Sequence, residues 1–492
     1  MALIVILAAY HAARANGSIE IADYALNIYR VKSLSYSQGR SSDLLMFHGS
    51  ERTSALEVVK NSRDIPKGSI VRGLKVSTST MKLLAAMALG KIQSMTTQNL
   101  ERQNSIKAAL SAAVRQFVGE ISELRGALQK FAQLGFVING DLPYEWRDEL
   151  AKGLTYTQPM STAAVTKVLV EAYGEISKVF GQFDNRPIAC GSIGQVHRAV
   201  LLGGENVCVK IKYNGIESAI KADFRNVRAF LPIANALLPN QMIKPMISDW
   251  EESALRECDL KNESLNYRLS NAALRNLAVI IPGSYEELSR DNLLVTEFVD
   301  GQDFFSFLQT SNQNQRNSIA VSIWRSLYVL LEHGLFREDI QPANYMIKDN
   351  KLVILDLGSL QHAADIEGLK SHLTYMHAFA TGDYKSVASL LVQDGWGDEQ
   401  TVKEEVRAIV EVFGRPFRGE FEFTESYSME VYRMMTRTLT KKMRMPSSSR
   451  FLLRIFWSLY SLLTMLRARA DWSQELAAEL KLDDSWLKER SS

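Results

Sequence analysis

The 492-residue sequence predicts an α+β chain of two lobes, a small β-plus-helix unit and a larger helical unit, preceded by further helices. Three observations predict it. The stretch PIACGSIGQVHRAV (187–200) is a small-residue loop running into alternation, and after Gly203-Gly204 the alternation resumes in NVCVKIKY (206–213), the signature of a β-hairpin. Residues 292–299 (NLLVTEFV) read as a buried strand ended by Asp300-Gly301. From residue 366 onward the pattern is almost wholly helical.

Taken in order, residues 1–62 are mixed, with a Ser-rich patch at 33–42 and little motif content. Residues 63–165 are poor in Pro and rich in Ala, Leu, Met and Gln between 78 and 130, and read as a helical extension. Residues 166–300 hold the hairpin, helical text at 216–238 and 249–270, and the 292–299 strand. Residues 301–492 open with a helix at 316–333 stopped by Gly334, and continue as two small strands, YMI and KLVILDLG, around Asp349-Asn350. The rest is a helical lobe.

Composition narrows the class. Apolar residues at 46% and charged residues at 23% exclude a disordered or fibrous chain. Lys plus Arg (57) against Asp plus Glu (55) leaves a net +2, too balanced for an electrostatic nucleic-acid binder. Three cysteines without paired spacing, Cys190, Cys208 and Cys258, point to a reducing compartment and away from a structural zinc. Residues 2–9 (ALIVILAA) are too short for a bilayer and lack a preceding basic residue, so a cytoplasmic location is expected, with a cleaved leader ending near Ala15 as the alternative. Residues 451–465 are the most hydrophobic, but Arg454 lies within them and a buried helix suits them better than a membrane span.

The chemistry concentrates at 337–358. Asp339 and Asn344 stand five apart in REDIQPANYMI, and Asp356 follows twelve later in LDLG. Phosphoryl transfer needs this set: one carboxylate to orient or deprotonate the incoming hydroxyl, and an amide oxygen with a second carboxylate to hold Mg²⁺ against the phosphates. Two polar loop residues and a turn Asp is the competing structural reading. Upstream, Lys210 ends VCVK on the second hairpin strand, where burial of a cation calls for an anion. Lys212 alternates with it, so an edge lysine facing solvent is the alternative. The acidic helix DWEESALRECDLKNESLNY offers three partners, with Asp259 and Glu263 four apart on one face and Glu257 elsewhere. The loop from Ala189 through Gly191 and Ser192 to Gly194 suits backbone approach to phosphate oxygens, though a plain turn would look the same. His197, Cys190 and Cys208 read as packed core residues.

In order along the chain, these motifs resemble the UbiB/AarF-type atypical protein-kinase-like proteins linked to ubiquinone biosynthesis. RGALQKFAQ (125–133) is similar to that family's K-x-G-Q signature through Lys130 and Gln133, PIACGSIGQVHRA to its alanine-rich loop, and RECDLKNE to its E-x-D element. The resemblance implies a bilobal protein-kinase-like fold with a helical N-terminal extension. It implies ATP or ADP with Mg²⁺, Asp339 and Lys210 as catalytic groups, and Asn344 and Asp356 as metal ligands. Lys210 would meet the α/β-phosphates and pair with Glu263. Lys130 would meet Glu257 and Asp259, Ala189, Gly191 and Ser192 would line the nucleotide loop, and residues 297–300, with Glu297 and Val299, would contact adenine. Several positions depart from the family pattern: Ala132 replaces the K-x-G-Q glycine, Gly191 replaces an alanine, and Arg337 and the run Ile340 to Ala343 flank Asp339 atypically.

After Asp356 the sequence holds no A-P-E stop for a peptide-binding activation segment, and residues 359–380 run on as helical text. That favours an ATPase or small-molecule kinase serving quinone or isoprenoid lipid metabolism over a protein kinase. A nucleotide-binding scaffold for a biosynthetic complex is the alternative, and a choline- or aminoglycoside-type kinase a third reading that lacks the Lys130 extension. Expected partners are a nucleotide, a lipid or quinone-precursor ligand and other biosynthetic proteins. The amphipathic stretch at 81–92 (MKLLAAMALGKI) suits either peripheral contact with the inner face of a membrane or ordinary packing.

Overall fold

The computed structural model describes residues 159–237, 243–362, 369–440, 443 and 446–479. The extension carrying Lys130 and Gln133, and the 81–92 stretch, lie outside them. In chain order the elements are α1 (Thr162–Tyr173), β1 (Phe180–Phe183), β2 (Ala189–Cys190), β3 (Gly194–Leu201), β4 (Asn206–Lys212), α2 (Ile216–Leu237), α3 (Ile243–Arg256), α4 (Leu260–Leu274), β5 (Val279–Ile280), β6 (Leu293–Glu297), β7 (Gln302–Asp303), α5 (Phe304–Thr310) and α6 (Gln313–Glu332). They continue as β8 (Leu335–Arg337), β9 (Tyr345–Lys348), β10 (Lys351–Ile354), β11 (Leu360–His362), α7 (Leu369–Thr381), α8 (Tyr384–Gln393), α9 (Glu399–Phe413), β12 (Phe421–Glu422), α10 (Glu425–Thr440), α11 (Ser447–Met465), β13 (Arg469–Ala470) and α12 (Trp472–Glu479). Among the described residues no helix is long and apolar enough to cross a membrane.

The first sheet has the order β1-β3-β4-β6, with β2 paired to β3. Alternation in β4 does what the sequence pattern implies: Val207, Val209 and Ile211 are fully buried, while Cys208, Lys210 and Lys212 share the half-buried face. The described chain divides into two compact units, one holding residues 159–197 and 210–258, the other 198–209 and 259–479.

In the first unit, β2 and β3 form a tight hairpin in which Gly191 N–H donates to Gly194 O at 2.8 Å. Gly194 has no room for a side chain, because a Cβ there would sit 2.5 Å from Ile211 O. A buried polar chain braces β3: Gln195 accepts from Met160 N–H at 2.6 Å and meets His197 Nε2 at 2.8 Å, and His197 Nδ1 meets Asp184 O at 2.8 Å. Burial holds His197 below its ordinary pKa, against the opposing pull of the Asp184 carbonyl. His197 is thus the packed core residue the sequence suggested.

In the second unit, β9 and β10 pair around Asp349-Asn350, whose φ values of 51° and 57° make the two-residue left-handed hairpin turn predicted there. Helix α6 starts on an Asn312 capping box with Gln315 and is stopped by Gly334 at φ 71°. Its Trp324 and Tyr328 anchor an aromatic core in which Trp472 and Phe417 lie 5.1 and 5.9 Å from Trp324. Residues 451–465 are the body of α11, whose Ile455, Leu459 and Leu463 are fully buried.

Two sequence expectations need correction. The stretch 249–270 is not one helix: α3 ends at Arg256 and α4 begins at Leu260, so Asp259 caps α4, accepting Asn262 N–H at 2.9 Å, and shares no helical face with Glu263. Nor is 359–380 uniformly helical, because Leu360, Gln361 and His362 pair with Arg337, Phe336 and Leu335 as a short antiparallel strand.

Candidate functional site

The strand-loop-strand from β8 to β10 brings Asp339, Asn344 and Asp356 onto one construction. The backbone N–H of Asp339 donates to Ser359 Oγ at 3.1 Å, and Asn344 Nδ2 donates to Asp339 O at 3.2 Å. Pro342 opens the 3₁₀ turn that ends at Asn344. Leu355 N–H then donates to Asn344 O at 2.9 Å, which sets Asn344 beside the residue preceding Asp356. Gln341 Nε2 lies 3.1 Å from Asp339 Oδ2 and 3.4 Å from Asn344 Oδ1, spanning the two side chains.

Asp356 occupies a left-handed turn, φ 52°, a conformation uncommon for a non-glycine residue though more open to Asp than to most. Its N–H donates to the Tyr267 hydroxyl at 3.0 Å and its Oδ1 accepts Gly358 N–H at 3.3 Å. Asn266 Nδ2 donates to Leu357 O at 2.9 Å. Arg337, only 2% exposed, donates from Nη2 to Leu355 O at 2.8 Å and reaches Asp356 O at 3.5 Å, with its guanidinium 4.7 Å from the Tyr345 ring centre. Burial raises the Tyr345 phenol pKa, against the lowering effect of Arg337.

The cation the resemblance implies is Mg²⁺. Its preference for oxygen suits this donor set, an amide oxygen and a carboxylate. Asn344 spends an amide N–H on Asp339 O and, among the described residues, its oxygen accepts only the long 3.4 Å bond from Gln341, which leaves an oxygen lone pair for a cation. Among the described residues no three His, Cys, Asp or Glu cluster as a metal cage. A cation held by Asn344 and Asp356 would therefore complete its shell with ligand oxygens and water, the habit of Mg²⁺ with phosphates.

The remaining sequence candidates are distributed over both units. Lys210 is half-buried on β4, and so is Lys212, whose Nζ binds Glu217 Oε1 at 2.7 Å and Cys258 O at 2.8 Å. That second bond ties the end of β4 to the E-x-D segment. Glu257 is buried, Asp259 is exposed, and Glu263 in the first turn of α4 is 0% exposed, a depth at which a carboxylate needs a cationic or hydrogen-bonded partner. Ala189 is exposed on β2, Ser192 is half-buried in the turn, and Gly191 has committed its N–H to that turn. Glu297 ends β6, with its N–H donating to Gly283 O at 2.7 Å, its Oε2 accepting Gly283 N–H at 3.3 Å, and Val299 buried just beyond. Cys208 is mostly buried, and its thiol is pushed up to about 11 by that burial.

Sequence reasoning missed Tyr267, Ser359 and the bridging amide of Gln341. Gln341 stood out only as a departure beside Asp339, and a hydroxyl in a helix or after a turn carries no spacing signal.

Comparison with known proteins bears on this construction. The ABC1 atypical kinase-like domain model matches residues 155–391. The atypical kinase COQ8, mitochondrial, of Saccharomyces cerevisiae is 25% identical over 75% of this chain and 74% of its own length. The "Probable protein kinase UbiB" of Shewanella pealeana is 27% identical over 60% of this chain, which spans 57% of that relative. Among solved structures, that titled as the complex of Rv3197 with erythromycin from Mycobacterium tuberculosis shares the fold at a TM-score of 0.52 and 20% identity, covering 76% of this chain and 97% of its own. Residues 155–391 thus match the ABC1 atypical kinase-like domain, and the chain, with its kinase-like fold, is similar to the atypical kinases named COQ8 and UbiB.

Proposed function

We propose that this protein binds Mg-ATP or Mg-ADP and hydrolyses ATP, or transfers its phosphoryl group to a small molecule, in support of quinone or isoprenoid lipid metabolism. The observation that supports the reading is the joint fixing of Asp339, Asn344 and Asp356 by backbone bonds on adjoining turns, an arrangement suited to one acid and two oxygen ligands. In this reading Asp339 orients the attacking hydroxyl or water and accepts its proton. Asn344 and Asp356 hold the cation, which when bound would neutralise phosphate charge. Lys210 meets the α/β-phosphates and is paired with Glu263, whose complete burial favours such a role. Ala189, Gly191 and Ser192 cover the phosphates, Glu297 and Val299 flank adenine, and Lys130 and Gln133 of the extension meet Glu257 and Asp259.

The metabolic assignment rests on the names of the relatives, and a mitochondrial setting, as the alternative to the cytoplasm, on that of the COQ8 relative. A quinone-precursor ligand, partner enzymes and peripheral membrane contact belong to the same reading. The scaffold alternative is favoured by the atypical neighbours of Asp339. Magnesium-dependent ATP turnover by the wild-type chain, with and without liposomes, separates the two. Turnover that Asp339→Asn lowers by about 10²-fold or more supports catalysis, whereas tight nucleotide binding without turnover supports the scaffold.

A further inference from the structure

The turn that carries Asp356 is gripped by three side chains from two elements. Tyr267 on α4 accepts its N–H at 3.0 Å, Asn266 on the same helix donates to Leu357 O at 2.9 Å, and Arg337 on β8 donates to Leu355 O at 2.8 Å and reaches Asp356 O at 3.5 Å. Both polar groups of the Asp356 residue backbone are thus engaged by side chains, and the residue holds its left-handed φ of 52° inside that grip. Asp tolerates the left-handed region better than most side chains, yet the conformation is disfavoured, and these neighbouring bonds offset it. The bonds are mutually reinforcing in a buried setting, Arg337 and Tyr267 both being nearly inaccessible.

We propose that Tyr267 and Arg337 are positioning residues for Asp356, presetting its carboxylate for the cation before nucleotide arrives. The proposal rests on the Mg-nucleotide reading above. Since α4 also carries Glu263, the same helix sets the metal carboxylate and the partner assigned to Lys210, so displacement of α4 would disturb both at once. A purely structural role for the two side chains would change stability. A positioning role changes how nucleotide affinity depends on the metal.

The test is a pair of calorimetric titrations of ATP into the full chain, one with Mg²⁺ and one with EDTA, alongside a Mg²⁺ titration at fixed ATP. For Tyr267→Phe, which deletes one oxygen from a buried ring, Mg-ATP affinity is expected to fall about five- to tenfold, the scale of one buried hydrogen bond, with metal-free affinity changed less than twofold. Arg337→Lys should do the same, and neither change should add to the loss caused by Asp356→Asn. An equal loss with and without metal, no loss at all, or additive losses with Asp356→Asn would overturn the assignment. If Tyr267→Phe does not fold, Arg337→Lys and its combination with Asp356→Asn carry the test alone. A wild-type chain that binds ATP no better with Mg²⁺ than with EDTA would instead refute the nucleotide reading itself, a failure visible before any variant is made.

Discussion

Asp339 is held through its own N–H by Ser359, through its carbonyl by Asn344 and through its carboxylate by Gln341. Replacing Ser359 by Ala should therefore leave the fold intact yet lower ATP turnover, because the half-buried Asp339 amide loses its acceptor. A turnover assay paired with a thermal melt separates the two effects. His197 gives a second prediction at this scale. Its folded pKa lies below the unfolded value of about 6.5 because it is buried, so its contribution to stability is complete above that value and declines as pH falls. The excess melting temperature of wild type over His197→Gln should shrink between pH 7.5 and 5.5; an excess constant over that range contradicts a buried neutral imidazole. That Asp339, Asn344 and Asp356 would share one construction was legible in the sequence from their order and spacing. Tyr267 was not, since nothing in SLNY distinguishes a hydroxyl that meets a distant amide from one that meets water.

The elements that sequence alone located are those governed by local chemistry. Asp349-Asn350 turned where a left-handed pair must, and Gly334 ended α6 within a residue of expectation. The break at Glu257 to Asp259 was passed over, because one more Asp in an acidic helical run gives little contrast as a cap; Lys212 also binds Cys258 O there. The short strand β11 escaped for a similar reason, as its pairing with β8 is long-range and three residues carry no periodicity. Two changes test local control. Asn312→Ala removes the capping box of α6 and should cost about 1 kcal/mol in denaturant melts. Gly194→Ala forces a methyl against Ile211 O and should cost about 1–3 kcal/mol, with weaker ATP binding if the loop is the phosphate cover. Unchanged stability in the glycine variant would mean the hairpin yields.

Taken whole, the chain obeys its hydrophobic pattern: the α+β expectation and the atypical-kinase resemblance agree with an ABC1 domain match over 155–391 and a kinase-like fold. The core of the second unit closes late in sequence, since Trp472 packs on Trp324 and Phe423 and donates its indole N–H to Phe421 O at 3.0 Å. Trp472→Ala should cost about 3–5 kcal/mol, measured as a lower melting temperature of the second unit. No sequence periodicity announces that closure, because it joins residues about 150 positions apart. The Gln195 clamp on Met160 reaches into laboratory practice. Helix α1 runs unbroken from Thr162 to Tyr173, so a recombinant fragment begun at residue 166 would cut through its first turn and strand the Gln195 oxygen in a dry interior. A fragment meant to hold the kinase-like fold should start upstream of Pro159.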